Sequence, residues 1–468
     1  MDIQKLISNP ELNEKLAKIR SQIQQPGREI SDIVDGENNQ YVDLVLEGGG
    51  MLGIALVGYS WALEEMGIRF FGIGGTSAGS INALLLAALD QPSKPKSPRL
   101  LNELANKNFY DFVDGGEDVR DLIELALGGE KKFKMLRLFY KAMKVKHQLC
   151  SKYGMNKGDA FLTWLHGLLS GAGIDTLEDL DTRLSIVPDG LRRRGDSKPL
   201  PVEDCPTGKL VIVAADVTTE TRVEFPAMAK LYWEDPSEVS PAMFARASMS
   251  IPFFFEPFRV GNVPGNNLAK KNWSEIAGLN VNSDPSNVIP KTAMFVDGGI
   301  MSNFPIDAFH NVSQVPSMPT FGVKLEYDQR CKSPDKFPAF GHGDLKNLGP
   351  LAGAIFNSAR HTLDYEFIKR HPDYRHLVQF IPCTYKEGDK VLGYNWLDFN
   401  MPEEHKAGLF IQGARKAIEF VDQFSSEYRG FSSKWRFYKD LRAKLIEQQS
   451  EPISPRAQAA SIEVDPVV

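Results

Sequence analysis

The most constraining feature of this chain is a strand-length apolar run that turns straight into a helix at one serine. Ile68-Arg69-Phe70-Phe71-Gly72-Ile73 passes without a polar break into Gly74-Gly75-Thr76-Ser77-Ala78-Gly79-Ser80, and Ile81 to Leu89 follow as strong helix material. Gly75 to Gly79 reads G-x-S-x-G between a strand and a helix, the context in which that pattern forms a nucleophile elbow. A turn this sharp strains the serine, and strand and helix can pass only if the residues two before and two after it are tiny. Gly75 and Gly79 meet that demand. A glycine-rich turn with an incidental serine is the competing reading, and it leaves both flanking glycines to chance.

The same strand-then-helix rhythm runs along the chain. Tyr41 to Leu46, Ile68 to Ile73, Leu210 to Ala215, Thr292 to Val296, Phe321 to Leu325 and Leu377 to Ile381 are short runs rich in β-branched and aromatic residues. Helical stretches such as Ile54 to Met66 separate them, which predicts an α/β fold with a mostly parallel central sheet covered by helices on both faces. Residues 1–40 read as a charged helix and linker, and the core is expected to start at Tyr41. Residues 41–424 are expected to form one large domain, with a helical cap-like segment at 90–157. The Asn-, Gly- and Pro-crowded stretch 259–290 is expected to be a loop insertion. A helix over 425–448 and a disordered tail over 449–468 complete the expectation.

A second glycine cluster follows the first strand. Val42 to Glu47 run into Gly48-Gly49-Gly50-Met51-Leu52-Gly53, where three glycines free the backbone amides and the next helix adds the positive end of its dipole. The site is built for negative charge. As a G-x-G-x-x-G it also matches a dinucleotide-binding fingerprint, but that fold expects an acidic residue at the end of the second strand, and here that strand meets the serine turn.

A serine nucleophile needs a base. Six histidines, His310, His342, His361, His371, His376 and His405, follow Asp297, so chain order leaves a histidine base open. None stands in a recognisable loop signature. Asp297, in Phe295-Val296-Asp297-Gly298-Gly299, closes an apolar strand and is expected to project from the same carboxyl sheet edge as Ser77. On that segment alone, an aspartate that merely starts a turn reads equally well.

Taken together, the glycine loop, the elbow and the Asp-Gly-Gly strand end resemble the patatin-like phospholipases. Leu210 to Phe225, Arg246 to Phe258 and Tyr153 to Ala160 look similar as well, and the resemblance covers roughly Tyr41 to Phe424. It implies a catalytic dyad in which Asp297 takes the proton from Ser77, an acyl-serine forms on an ester of a phospholipid or other acyl lipid, and water releases the fatty acid without metal or organic cofactor. The amides of Gly49, Gly50 and Met51 would then face the oxyanion, each donor contributing about 3 to 4 kcal/mol. Asp297 would serve best with its basicity raised by partial burial. The pattern departs from the family at Leu52, where a basic residue is usual. That departure opens the alternative of a catalytically weakened protein used for lipid binding or regulation.

Charge and targeting narrow the partners. A net charge of -6 is too weak to suggest a nucleic-acid partner, which would need a basic domain or stripe. Cys150, Cys205, Cys331 and Cys383 lie far apart and form neither a zinc pattern nor a disulfide framework. No signal-peptide core and no run of about 18 apolar residues is present, so the expectation is a cytoplasmic protein that meets membranes peripherally. Over 130–150, Phe133, Leu136, Tyr140 and Met143 recur at helical spacing among lysines and Arg137. Such a helix suits an anionic membrane surface, and it suits a solvated cap equally well.

Overall fold

The computed structural model describes residues 3–116, 119–120, 151–278, 289–326 and 362–450. Each of the six apolar runs forms a strand. β1 (Gln40–Leu46), β2 (Ile68–Thr76), β3 (Lys209–Asp216), β4 (Phe258–Gly261), β5 (Thr292–Asp297), β6 (Thr320–Glu326) and β7 (Val378–Pro382) stand in the order β7-β6-β1-β2-β3-β5-β4 within one large sheet. β7, β6, β1, β2 and β3 are mutually parallel. β5 runs antiparallel to β3, and β4 antiparallel to β5. Every residue of β2 is buried, as is every residue of β1 except Asp43, which requires cover on both faces of the sheet.

Three helices supply much of that cover. α1 (Gly53–Glu65) is apolar around its circumference and buried almost throughout, as a helix wedged between layers must be. α2 (Ala78–Ala88) packs on β1, β2 and β3, whereas α3 (Glu403–Phe424) packs on α1 and β7. The two long helices touch backbone to backbone: a Cβ on Gly58 would stand 2.0 Å from the Phe410 carbonyl oxygen, and one on Gly413 would stand 1.9 Å from that of Ala55.

The segments before β1 and after α3 belong to this core, contrary to the expected start at Tyr41. The helix Pro10–Gln22 carries its charges outward and buries Leu12, Leu16 and Ile19 along one stripe, with Asn9 capping the Leu12 amide. Ile33–Val34 then pairs with β1. The C-terminal helix Lys434–Ser450 reaches back to this segment, where the Trp435 indole donates to Asp32 at 3.0 Å and Lys439 pairs with Asp32 at 2.6 Å. The stretch expected as a loop insertion contains β4 and a helix, Asn267–Ala277, capped by Asn266. The basic segment 130–150 and the tail from 451 onward lie outside the described residues. No helix among the described residues is long and apolar enough to cross a membrane.

Candidate active site

Ser77 leaves β2 and starts α2 with φ 53° and ψ −120°, a backbone conformation a side-chain-bearing residue rarely holds. Its surroundings impose it. A Cβ on Gly75 would meet the Gly79 carbonyl group at 2.5 Å, and one on Gly79 would meet the Leu46 carbonyl oxygen at 2.2 Å, so strand and helix cross with no room for a methyl group. The Ser77 amide donates to the Ser248 hydroxyl at 2.9 Å, which donates in turn to the Val213 carbonyl at 2.6 Å. Ser248 thereby fastens the elbow to β3, a role the sequence pattern gave no signal for.

Asp297 reaches the same region from the opposite direction. β5 is antiparallel to β3, so Asp297 ends a strand that runs inward from beyond the carboxyl edge of β2 and β3. Register still aligns the two residues, since Thr76 pairs with Val213 and Asp297 with Ala214, the next residue of β3. A Cβ on Gly298 would stand 3.0 Å from Thr76 Cγ2 and 2.1 Å from the Val213 carbonyl oxygen, so this glycine lets the turn lie against the base of the elbow. The Gly299 amide donates to Asp297 Oδ1 at 2.7 Å, and Ser77 and Asp297 are both buried.

The glycine loop lies against the serine. A Cβ on Gly48 would come within 3.1 Å of Ser77 Cβ. Asn303 holds Gly48 from both sides, its carbonyl accepting the Gly48 amide at 3.0 Å and its side-chain amide donating to the Gly48 carbonyl at 3.1 Å. Asn303 is held by buried Asp364, which accepts from Ser302 Oγ and from the amides of Asn303 and Phe304 at 2.6 to 2.9 Å. Desolvation pushes the Asp364 carboxyl up to about 6, with Lys324 opposing the shift. Lys324 itself pairs with buried Glu47 at 2.7 Å, at the entrance to the loop.

Of the three amides expected to face an oxyanion, one is already engaged. The Met51 amide donates to the Trp396 carbonyl at 2.9 Å, while those of Leu52 and Gly53 turn inward to Gly49 and to Gly50 and Met51. The amides of Gly49 and Gly50 make no hydrogen bond among the described residues. Gly50 has φ 54° and fits closely beneath Trp396, whose carbonyl oxygen would lie 2.3 Å from an added Cβ. Leu52 is wholly buried in the apolar core, so its position has no solvent to receive a cation.

Ser77, Gly50, Met51 and Gly53 open onto a cleft of about 640 Å3, its mouth included. Beyond these residues the walls are overwhelmingly apolar. Leu104, Phe109 and Phe112 come from the cap-like segment, Phe161 and Trp164 from the helix Asp159–Ser170, and Phe255 and Phe399 close the far side. His166, His310, His371, His376 and His405 do not line the cleft; His147, His342 and His361 are outside the described residues. Arg246 is buried behind the wall, donating to the Ser250 hydroxyl and to the carbonyls of Lys157 and Glu256. Among the described residues, no group of three His, Cys, Asp or Glu side chains is placed to hold a metal ion.

The family model described as patatin-like phospholipase matches residues 44–310, more than half of the chain. The uncharacterized protein YqhO of Bacillus subtilis (strain 168) is 28% identical over 389 residues, 82% of this chain and 99% of that protein. Among solved structures, VipD from Legionella pneumophila aligns with a TM-score of 0.34 at 16% identity, over 84% of this chain and 70% of VipD. ExoU from Pseudomonas aeruginosa, in its complex with SpcU, aligns with a TM-score of 0.30 at 19% identity, over 82% of this chain and 51% of ExoU. This chain thus spans about half the length of ExoU.

Proposed function

The chain belongs to the patatin-like phospholipase family, and on that premise we propose that it is a serine hydrolase of fatty-acyl esters of lipids, with Ser77 as nucleophile and Asp297 as general base. The observation that carries the reading is the strained Ser77 at the end of an apolar cleft, beside a glycine loop with two unengaged amides. An acyl chain lies along the aromatic walls and brings its ester carbonyl to Ser77. Ser77 Oγ bonds to the carbonyl carbon as its proton passes to Asp297, and the amides of Gly49 and Gly50 take the charge that develops on the carbonyl oxygen. Collapse breaks the ester C–O bond, and the departing lipid alkoxide takes the proton from Asp297. Water then repeats the sequence on the acyl-serine, releasing the fatty acid and restoring both side chains.

The position of the described histidines supports a dyad over a triad, since none lines the cleft. The second reading is a lipid-binding protein of weakened catalysis, raised by Leu52 standing where the resemblance leads one to expect a basic residue. Fatty-acid release from phosphatidylcholine vesicles and from a p-nitrophenyl ester tests the proposal. Ser77→Ala and Asp297→Asn should each lower the rate by at least about a thousandfold, whereas replacing His310, His371, His376 or His405 should not approach that loss. Hydrolysis that survives Ser77→Ala overturns the assignment.

A further inference from the structure

At the rim of the cleft, two aromatic side chains stand in solvent on backbone that normally belongs to glycine. Ile251-Pro252-Phe253-Phe254 forms a turn, with the Phe254 amide donating to the Ile251 carbonyl at 3.2 Å, proline second and Phe253 third at φ 67°. That third position of a proline-led turn is ordinarily glycine, because a side chain there is strained. Phe253 occupies it with 67% of its surface exposed. Tyr153 has φ 63°, is 52% exposed, and directly precedes Gly154, the residue paired with Phe253 between the short strands Gly154–Asn156 and Phe253–Phe255.

Single exposed apolar residues are ordinary, but two adjacent aromatics fixed outward by strained backbone mark a surface with a use. The same turn points the other way into the cleft, since Ile251 and Phe255 line it beside Ser77. Phe253 thus stands between two residues of the cleft wall, and Tyr153 precedes the residue that pairs with it. Cations flank the pair: the Arg259 guanidinium lies 5.8 Å from the Tyr153 ring centroid, and Lys152, the residue before Tyr153, is exposed. Glu256 lies 3.6 Å from Lys152, and Asp114 accepts from the amides of Gly158 and Ala160 further along the same segment.

We propose that Phe253 and Tyr153 form an interfacial wedge that seats the cleft mouth on a phospholipid bilayer, with Arg259 and Lys152 at headgroup depth. Aromatic rings suit the boundary between headgroups and acyl chains, and cations beside them suit lipid phosphates. The inference rests on the lipid-hydrolase reading for its purpose, but its geometry is separate from the dyad.

Full-length protein should be compared with the Tyr153→Ser/Phe253→Ser double variant by sedimentation with vesicles of equal parts phosphatidylcholine and phosphatidylglycerol. Hydrolysis of a soluble short-chain p-nitrophenyl ester should be measured alongside. The double variant should lose about tenfold or more in vesicle partitioning, keep its soluble-ester rate within about twofold, and regain partitioning in Phe253→Trp on the Tyr153→Ser background. Unchanged partitioning overturns the wedge, as does failure of the parent protein to bind these vesicles. Soluble-ester inactivity of the parent strikes the hydrolase reading alone, because partitioning still reports on the wedge.

Discussion

At residue scale, Ser77 shows how a site can cost stability. Its conformation costs on the order of 1–3 kcal/mol, and the crossing of strand and helix at Gly75 and Gly79 holds it there. Ser77→Gly should therefore raise urea-unfolding stability by about 1 kcal/mol while removing activity; a stability loss would show that the conformation is not strained. Ser248→Ala should act in the other direction, lowering stability by about 1–3 kcal/mol because the buried Ser77 amide loses its acceptor. The strained turn at Ser77 was legible because an elbow's demands are local and all fall within five residues. Asp297 needed the family resemblance, since its segment alone says only that a turn begins. Met51 was misjudged because its acceptor, the Trp396 carbonyl, lies far along the chain and no pattern links the two.

At the scale of elements, the glycine loop is positioned by a relay from Asp364 through Asn303 to Gly48. Asp364 has a folded-state value of about 6 against an ordinary 3.8, so folding favours its neutral form. The stability it contributes is present below about pH 4 and is lost as pH rises through 6, by up to about 3 kcal/mol. The unfolding free energy of the parent relative to Asp364→Asn should thus fall between pH 4 and pH 6.5; a difference independent of pH would contradict the account. Leu52→Arg, which restores the family's usual residue, should destabilise by several kcal/mol, because the position is sealed in apolar core with no partner for the cation. Thermal denaturation checks this, and an unchanged midpoint would show that the loop can open to accommodate a cation. Strands and helices were readable from periodicity, whereas the antiparallel course of β5 was not: an apolar run has the same pattern whichever way it points.

At the scale of the whole molecule, the family match ends at residue 310, yet the sheet does not. β6 lies directly beside β1, β7 beside β6, and α3 against α1, while the C-terminal helix is tied to Asp32. A fragment spanning 44–310 should consequently fail to unfold cooperatively, having exposed one side of β1 and most of α1; a sharp transition in circular dichroism would contradict this. The sequence showed the sheet but placed its beginning too late, because a charged helix with one apolar stripe reads as a separate segment until its partner is known. The proposed nucleophile is the Ser77 hydroxyl, and a fluorophosphonate probe interrogates it most directly. Folded protein incubated with the probe, digested and mapped by mass spectrometry should carry a single adduct on Ser77, formed far more slowly in Asp297→Asn. No adduct in the presence of lipid, or an adduct on another residue with Ser77 unmodified, would contradict the account.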